Sequence, residues 1–350
     1  MADIFEVAAM RRALDTAARG PAYGPNPRVG CVILDRSGAV VGEGRHEGAG
    51  TAHAEVAALA VAGAAARGGT AVVTLEPCDH TGRTGPCSRA LVDAGVARVV
   101  IAVHDVNPVA AGGARTLRAA GVDVETGVLS DRGRALNRYW EFAVRTGRPF
   151  VTWKFAATLD GRSAAPDGTS RWITGEAARA DVHARRATSD AVLVGTGTVL
   201  ADDPRLTVRD AAGRPAARQP LRVVIGRRPL PPTARVLDAD AETLVLVERD
   251  PALALKQLHE REVRHVWLEG GPTVAAAFWR AGLVDEVLTY LAPALLGAGA
   301  AAVADLGVTT IDQAVRLRTT DVRRLGDDVL VVSRPDRHVP SDSSSDSDSE

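Results

Sequence analysis

One histidine and two cysteines constrain this chain more than any other feature of its sequence. His53 is followed two positions later by Glu55, and Pro77-Cys78 and Cys87 come after about one helix and one strand of sequence. A zinc ion that performs hydrolytic chemistry is held by three protein ligands and keeps one position open. We therefore predict that His53, Cys78 and Cys87 bind a zinc ion. Glu55 would lie beside the metal as a carboxylate that transfers protons without binding it.

The spacing of these residues indicates a particular kind of zinc enzyme, with one departure. Zinc-dependent deaminases carry a His-x-Glu followed by Pro-Cys-x-x-Cys. Here eight residues separate Cys78 from Cys87, and a longer loop between two ligands costs little closure entropy. Buried cysteines and a helix-capping histidine are the alternative interpretation, which the combined pattern makes the weaker one.

The composition is that of a two-domain intracellular enzyme. The chain has 350 residues, of which 46% are hydrophobic, enough for two cores. It shows no disulfide framework, no signal peptide and no apolar run of spanning length, so we expect a cytoplasmic protein without membrane partners. The formal net charge of −1 gives no electrostatic reason to expect nucleic-acid binding.

Helical and strand patterns alternate in two sets, which indicates an α/β fold. In the first set, helices are predicted at 3–19, 53–67 and 87–95, and strands at 29–34, 39–42, 71–75 and 98–103. In the second set, helices are predicted at 174–188 and 272–281, strands at 150–156, 191–195, 221–225, 243–247, 265–268 and 286–291, and a hairpin at 322–333. We predict domains over 1–147 and 148–335, followed by a disordered acidic tail of Ser and Asp over 336–350.

Two features of the second set bear on chemistry. Residues 268–273, Leu-Glu-Gly-Gly-Pro-Thr, join a predicted strand to a predicted helix, and free N–H groups there favour an anion. An ordinary glycine turn is the alternative. The 42 basic residues include only two lysines, and one of them, Lys154, falls on a predicted strand. Lysine can give up a proton where arginine cannot, although chance retention explains a single lysine equally well.

Further motifs accompany the metal ligands. They occupy residues 25–30, 42–44, 53–55, 74–78 and 82–87 in the first half, and Lys154, 158–161, 171–174, 198–204 and 269–273 in the second. With these motifs the chain resembles the RibD family of bifunctional riboflavin-biosynthesis enzymes along nearly its whole length. The resemblance implies an N-terminal cytidine-deaminase-like α/β/α domain and a C-terminal dihydrofolate-reductase-like α/β domain.

The resemblance also implies two consecutive reactions on one phosphoribosylated pyrimidine. The first is the zinc-dependent hydrolytic deamination of 2,5-diamino-6-(5-phosphoribosylamino)pyrimidin-4-one. The second is the NADPH-dependent reduction of the ribosyl group, which gives 5-amino-6-(5-phosphoribitylamino)uracil. We also expect a homo-oligomer. A chain with one active domain, or a non-catalytic nucleotide-binding scaffold, is the alternative.

Individual roles follow from the same resemblance. Substrate contacts in the first domain are implied for Asn26, His46, Arg83 and Asn107. In the second domain, NADP contacts are implied for Ala156, Trp172, Thr198, Asp202, Gly271, Pro272, Thr273, Val274, Ala275, Ala276 and Ala277. Substrate contacts there are implied for Ser170, Arg186, Leu206, Arg209 and Glu269. Hydride delivery to a ring-opened imine needs a proton donor and a positioned cation, and Lys154, Asp202 and Glu269 are the candidate catalytic residues, with their division of labour open.

Overall fold

The computed structural model describes residues 1–81, 85–210 and 213–336. The chain divides into two compact units. The first comprises Met1–Phe150 with Thr188–Ala191 and Leu253–Val266, and the second comprises Val151–Ala187, Val192–Ala252 and the described residues from Trp267 onward. The limits of the predicted domains stay predictions, and the predicted acidic tail lies, apart from Asp336, outside the described residues.

The first unit is built on a five-stranded sheet. Its strands are β1 (Gly30–Leu34), β2 (Val40–Arg45), β3 (Thr70–Val73), β4 (Arg98–Ile101) and β5 (Asp123–Thr126). They have the order β2-β1-β3-β4-β5, in which β1 pairs antiparallel with both neighbours and β3, β4 and β5 are parallel. The helices are α1 (Ile4–Ala18), α2 (Ala54–Ala62), α3 (Cys87–Asp93), α4 (Gly113–Ala119), α5 (Ser130–Leu136) and α6 (Arg138–Thr146).

Alternate residues of each strand face opposite layers of helices, because side chains in a strand point to the two faces of the sheet in turn. Ile33 and Val73 belong to the cluster that includes Ala58 of α2 and Leu117 of α4. Val32, Val72 and Val100 belong to the opposite cluster, with Met10 of α1 and Trp140 of α6. The predicted α/β/α layering is therefore present, although β5, α4, α5 and α6 were not predicted.

The chain from Phe150 onward forms a larger sheet. In chain order its strands are β6 (Phe150–Thr158), β7 (Arg162–Ala164), β8 (Ala191–Gly195), β9 (Leu221–Ile225), β10 (Thr243–Leu246), β11 (His265–Leu268), β12 (Glu286–Ala292), β13 (Ala300–Ala301), β14 (Leu317–Leu325) and β15 (Asp328–Pro335). Eight of them have the order β10-β9-β8-β11-β6-β12-β15-β14, and β7 pairs with β13. The predicted strands and the hairpin are confirmed.

The described residues after Phe150 form four α-helices: α7 (Glu176–Ala187), α8 (Thr196–Asp202), α9 (Pro251–Glu260) and α10 (Pro272–Arg280). The helix predicted to begin at Thr174 begins at Glu176, and α8 and α9 were not predicted. Pro272 occupies the first turn of α10, where its missing N–H leaves no unsatisfied bond. Among the described residues, no helix is long and apolar enough to cross a membrane.

Two glycines of β2 bring the strand unusually close to α2. A Cβ on Gly44 would lie 2.5 Å from the carbonyl oxygen of Ala54, and a Cβ on Gly42 would lie 2.3 Å from that of Ala58. Only glycine permits this approach of two backbones. The start of α2, where His53 is the N-cap, is thereby held against the sheet.

Gly44→Ala should lower the free energy of unfolding by about 1–3 kcal/mol, because α2 must move to accommodate the new methyl group. Zinc retention should fall as well, since the movement displaces His53. Val61→Ala, on the exposed face of the same helix, should change stability by at most about 0.5 kcal/mol. Thermal unfolding and metal analysis of both variants test this, and a Gly44→Ala variant that matches the parent would refute the close packing.

Candidate active sites

The three predicted metal ligands come together in the first unit. The ligand atoms of His53, Cys78 and Cys87 all lie within 4.8 Å of one another. Nδ1 of His53 is 3.2 Å from Sγ of Cys87 and 3.5 Å from Sγ of Cys78. His53 precedes α2, Cys87 begins α3, and Cys78 follows β3, so three element ends converge on one point.

The chemistry of these donors fits a zinc ion. The pKa of Cys78 is lowered to about 4, because the Cys87 thiol and the His53 ring hydrogen bond to its sulfur. The same contact with Cys78, together with burial, raises the pKa of Cys87 above its ordinary value. Two thiolates at this separation need a cation between them, and one imidazole with two thiolates is a donor set that zinc prefers.

Glu55 lies beside this cluster on the first turn of α2 and is 3% exposed. Burial raises the pKa of Glu55 to about 7, and the negative charge of Cys78 contributes in the same direction. A zinc ion would oppose that rise, because its positive charge favours the carboxylate. The carboxyl group is thus placed to exchange protons near neutral pH without being a metal ligand.

Two of the predicted substrate residues contact each other next to the metal ligands. Nδ2 of Asn26 lies 2.9 Å from Nε2 of His46, and the His46 ring meets the His53 ring edge-on at 5.5 Å between centroids. Burial lowers the pKa of His46, so the ring is neutral at physiological pH. The third predicted contact, Arg83, lies outside the described residues.

The loop that carries Asn107 is organised by a carboxylate that the sequence analysis missed. Glu76 is 7% exposed. Its oxygens accept from the backbone N–H groups of Ala114 at 2.9 Å, Asp105 at 3.1 Å and Gly112 at 3.3 Å. The Asn107 side chain accepts from Val109 N and so shapes the same loop. In the sequence, Glu76 could have been noticed as a carboxylate between an apolar strand and Pro77.

The second unit contains a cavity of about 1150 Å³ at the ends of its central strands. Most of the predicted cofactor and substrate residues line it: Lys154, Ala156, Ser170, Trp172, Arg186, Thr198, Asp202, Leu206, Arg209, Glu269, Gly271, Pro272, Thr273, Val274 and Ala277. Ala275 and Ala276 differ, since their side chains are 0% and 2% exposed and neither is part of the described lining. The structure therefore brings the two predicted groups together in one cavity.

A bidentate ion pair forms the charged centre of this cavity. Nε and Nη2 of Arg186 each lie 2.5 Å from an oxygen of Glu269, and Trp267 Nε1 donates to the same carboxylate at 2.5 Å. Burial alone would raise the pKa of Glu269, but Arg186 and Lys154 together lower it to about 2. Burial lowers the pKa of Lys154, against the attraction of Glu269. Glu269 is thus ionised at neutral pH.

The third candidate catalytic residue is placed differently. Asp202 ends α8, is exposed, and lines the same cavity, where its carbonyl oxygen accepts from Arg171 at 2.7 Å. His183 also lines the cavity and was missed. Burial, with the nearby Arg186 and Arg209, lowers the pKa of His183 to about 4. His183 lies three residues before Arg186 on α7, and residues at this spacing share one face of a helix. The sequence could therefore have placed His183 beside Arg186.

Each half of the chain matches a known protein family. Residues 5–103 match the cytidine and deoxycytidylate deaminase zinc-binding region, and residues 149–331 match the RibD C-terminal domain. The riboflavin biosynthesis protein RibD of Mycobacterium tuberculosis is 52% identical over 314 residues, which are 89% of this chain and 92% of that protein. The chain belongs to the RibD family. The Escherichia coli member is 42% identical over 92% of this chain and 97% of its own length.

Solved RibD structures have the same two-domain fold. A structure of Acinetobacter baumannii RibD superposes with a TM-score of 0.87 at 40% identity, covering 95% of this chain and 99% of that one. A Thermotoga maritima diaminohydroxyphosphoribosylaminopyrimidine deaminase/5-amino-6-(5-phosphoribosylamino)uracil reductase gives 0.86 at 33% identity with the same coverage. The predicted fold class and RibD membership are confirmed, and the chain is a riboflavin-biosynthesis enzyme with a zinc-binding deaminase domain and a reductase domain.

Cys78→Ser should release most of the zinc, because a serine hydroxyl does not ionise at neutral pH and is a poor zinc ligand. The eight-stranded sheet should be unaffected, so binding of a nicotinamide nucleotide should stay within twofold of the parent. Cys31→Ser, a buried cysteine outside the cluster, serves as the control and should keep its zinc. Metal analysis after gel filtration gives the result, and full zinc content in Cys78→Ser would rule out this ligand.

Glu269→Gln should lower the free energy of unfolding of the reductase domain by about 3 kcal/mol at pH 7, because it leaves Arg186 buried and unpaired. The pKa of Glu269 is depressed from 4.5 to about 2. Its contribution is therefore complete above about pH 4.5 and is lost as the pH falls toward 2. The difference between parent and variant in urea unfolding should shrink over that window. Asp210→Asn, in an exposed ion pair with Arg214, should change stability by less than about 1 kcal/mol, and a pH-independent Glu269 effect would contradict the pairing.

Proposed function

We propose that this RibD family member performs two consecutive steps on one phosphoribosylated pyrimidine. In the first, water replaces the 2-amino group of 2,5-diamino-6-(5-phosphoribosylamino)pyrimidin-4-one and ammonia leaves. In the second, the ribosyl group is reduced by NADPH, and the product is 5-amino-6-(5-phosphoribitylamino)uracil. The observation that carries the proposal is the cluster of His53, Cys78 and Cys87 with Glu55 beside it. The same chain contains a cavity lined by most of the residues predicted to contact NADP and substrate.

The residues of the first unit suit the deamination. His53, Cys78 and Cys87 would hold the zinc ion, which when bound lowers the pKa of water toward neutrality. Glu55 takes a proton from the water and passes it to the leaving amine, a role that its raised pKa supports. Asn26 and the neutral His46 present amide and imidazole groups beside the metal ligands for recognition of the ring. Arg83 and Asn107 are proposed as further substrate contacts.

The charges of the cavity suit the reduction and suggest a division of labour. NADPH, when bound, supplies the hydride. Glu269, with a pKa of about 2, keeps its charge and fixes Arg186, so it is a poor proton donor. Lys154 has a lowered pKa and gives up a proton more readily than an exposed lysine, so we assign it the donation to the imine nitrogen. Asp202 is assigned to the cofactor at the rim of the cavity.

The oligomeric state, the location in the cell and the range of binding partners are inferred from the sequence alone. We propose a cytoplasmic homo-oligomer whose binding partners are its small-molecule substrate and its cofactors, with no nucleic-acid or membrane partner. Light scattering coupled to gel filtration measures the mass in solution, and a mass equal to that of one 36.5 kDa chain would refute the oligomer.

Glu55→Gln should keep its zinc and lose deamination by a factor on the order of 10² or more, because general acid–base catalysis typically supplies that much. Reduction of the already deaminated substrate should continue. Ammonia release and NADPH consumption are followed separately on the two substrates. Unchanged ammonia release in this variant would refute the mechanism. If the parent performs only one of the two reactions, the chain is a one-activity enzyme, and if it performs neither it is a scaffold.

A further inference from the structure

One end of the reductase cavity carries two neighbouring arginines, Arg227 and Arg228. Arg227 and Arg228 follow β9, are exposed, and line the cavity wall. Arg227 interacts electrostatically with Glu248. Arg228 makes no hydrogen bond or ion pair with any residue that the structure describes. By contrast, Arg186 of the same cavity is held by Glu269. The Arg228 guanidinium is therefore available to an anionic ligand.

A continuous backbone surface connects this arginine to the glycine turn after β11. A Cβ on Gly197 would lie 2.5 Å from Nη2 of Arg228, so the guanidinium rests directly on the backbone of Gly197. The next residue, Thr198, accepts from the N–H of Gly271 at 3.0 Å. Gly271, residues 197–198 and Arg228 are thus contiguous along one wall of the cavity.

The strand order gives this path a direction. Along the sheet the order is β9-β8-β11-β6. Lys154 lies on β6, at the reacting end, and the glycine turn proposed for the cofactor diphosphate follows β11. A dinucleotide with its nicotinamide on the β6 side must extend its adenosine toward β8 and β9. The end of β9 lies two strand spacings, about 10 Å, from β11, which is within reach of an adenosine ribose.

We propose that Arg228, assisted by Arg227, binds the 2′-phosphate of the adenosine ribose and so sets the preference for NADPH over NADH. The inference rests on the proposed use of a nicotinamide cofactor and adds the residue that distinguishes the two forms. A guanidinium on open backbone can approach a phosphate with two parallel N–H groups, the geometry that arginine favours for such groups. The exposed edge of the cavity suits a doubly charged phosphate, which stays partly hydrated there.

The substrate phosphate is the competing occupant, and Arg209 offers it a second basic cluster in the same cavity. Arg209 also lines the cavity. Burial lowers the pKa of Arg209, and the nearby positive charges of Arg186, Arg235 and Arg205 lower it further. That cluster lies beside the Arg186–Glu269 pair, next to the predicted substrate residues. Arg209 and Arg228 therefore offer two arginines of the same cavity for a matched comparison.

The experiment measures direct binding to the full chain, by calorimetry at one ionic strength. The probes are adenosine 2′,5′-bisphosphate, adenosine 5′-monophosphate and ribose 5-phosphate, and the proteins are the parent, Arg228→Gln and Arg209→Gln. The parent should bind the bisphosphate at least about tenfold more tightly than the monophosphate. Arg228→Gln should weaken the bisphosphate about tenfold and leave the monophosphate within twofold. Arg209→Gln should leave the ratio of the two nucleotides unchanged. Thermal unfolding of each variant confirms that the fold is intact.

Several outcomes would overturn the inference. Three results for Arg228→Gln would show that this residue does not bind the 2′-phosphate. They are an equal loss of affinity for both nucleotides, no loss of affinity for either, and a loss of affinity for ribose 5-phosphate. A parent that binds both nucleotides equally would overturn it while leaving the nicotinamide cofactor in place. A parent that binds neither nucleotide, and neither NADPH nor NADH, would remove the proposed cofactor together with the inference.

Discussion

Negative charge held away from water is the constraint on which both sites depend. In the first unit it is carried by Cys78, whose pKa is lowered to about 4, and a second thiolate at Cys87 needs a cation beside it. In the second it is carried by Glu269, which burial alone would neutralise and which Arg186 and Lys154 keep ionised. Since an uncompensated buried charge is strongly destabilising, the elements that carry these partners must hold them within contact distance. The close packing of β2 on α2 contributes to that positioning.

The sequence predicted what is encoded locally. The predicted zinc ligands stand at element ends, where His53 precedes a helix and Cys87 begins one, so a short pattern was enough to find residues that the fold brings together. The strands of both sheets were visible as apolar runs, because strands buried on both faces are continuously hydrophobic. The glycine turn of residues 270–271 was visible as well, because two adjacent glycines between a strand and a helix are a local pattern.

What the sequence did not reveal arises from packing between distant segments. Glu76 and His183 acquire their roles only when partners far along the chain surround them. Ala275 and Ala276 stay predicted cofactor contacts along with their neighbours on α10; the two residues are buried, whereas Val274 and Ala277 line the cavity. The ionisation of Glu269 also required the structure, because a pKa depends on neighbours that a linear pattern does not identify.

The single carboxylate of Glu76 gives its loop a shared fate. Because the N–H groups of Asp105, Gly112 and Ala114 all donate to it, none of the three can be released without loosening the acceptor of the others. We expect these three amides to open together in native-state hydrogen exchange, because they share one acceptor side chain. The loop containing Asn107 is thus held at three points by one side chain, and not by a set of independent turns.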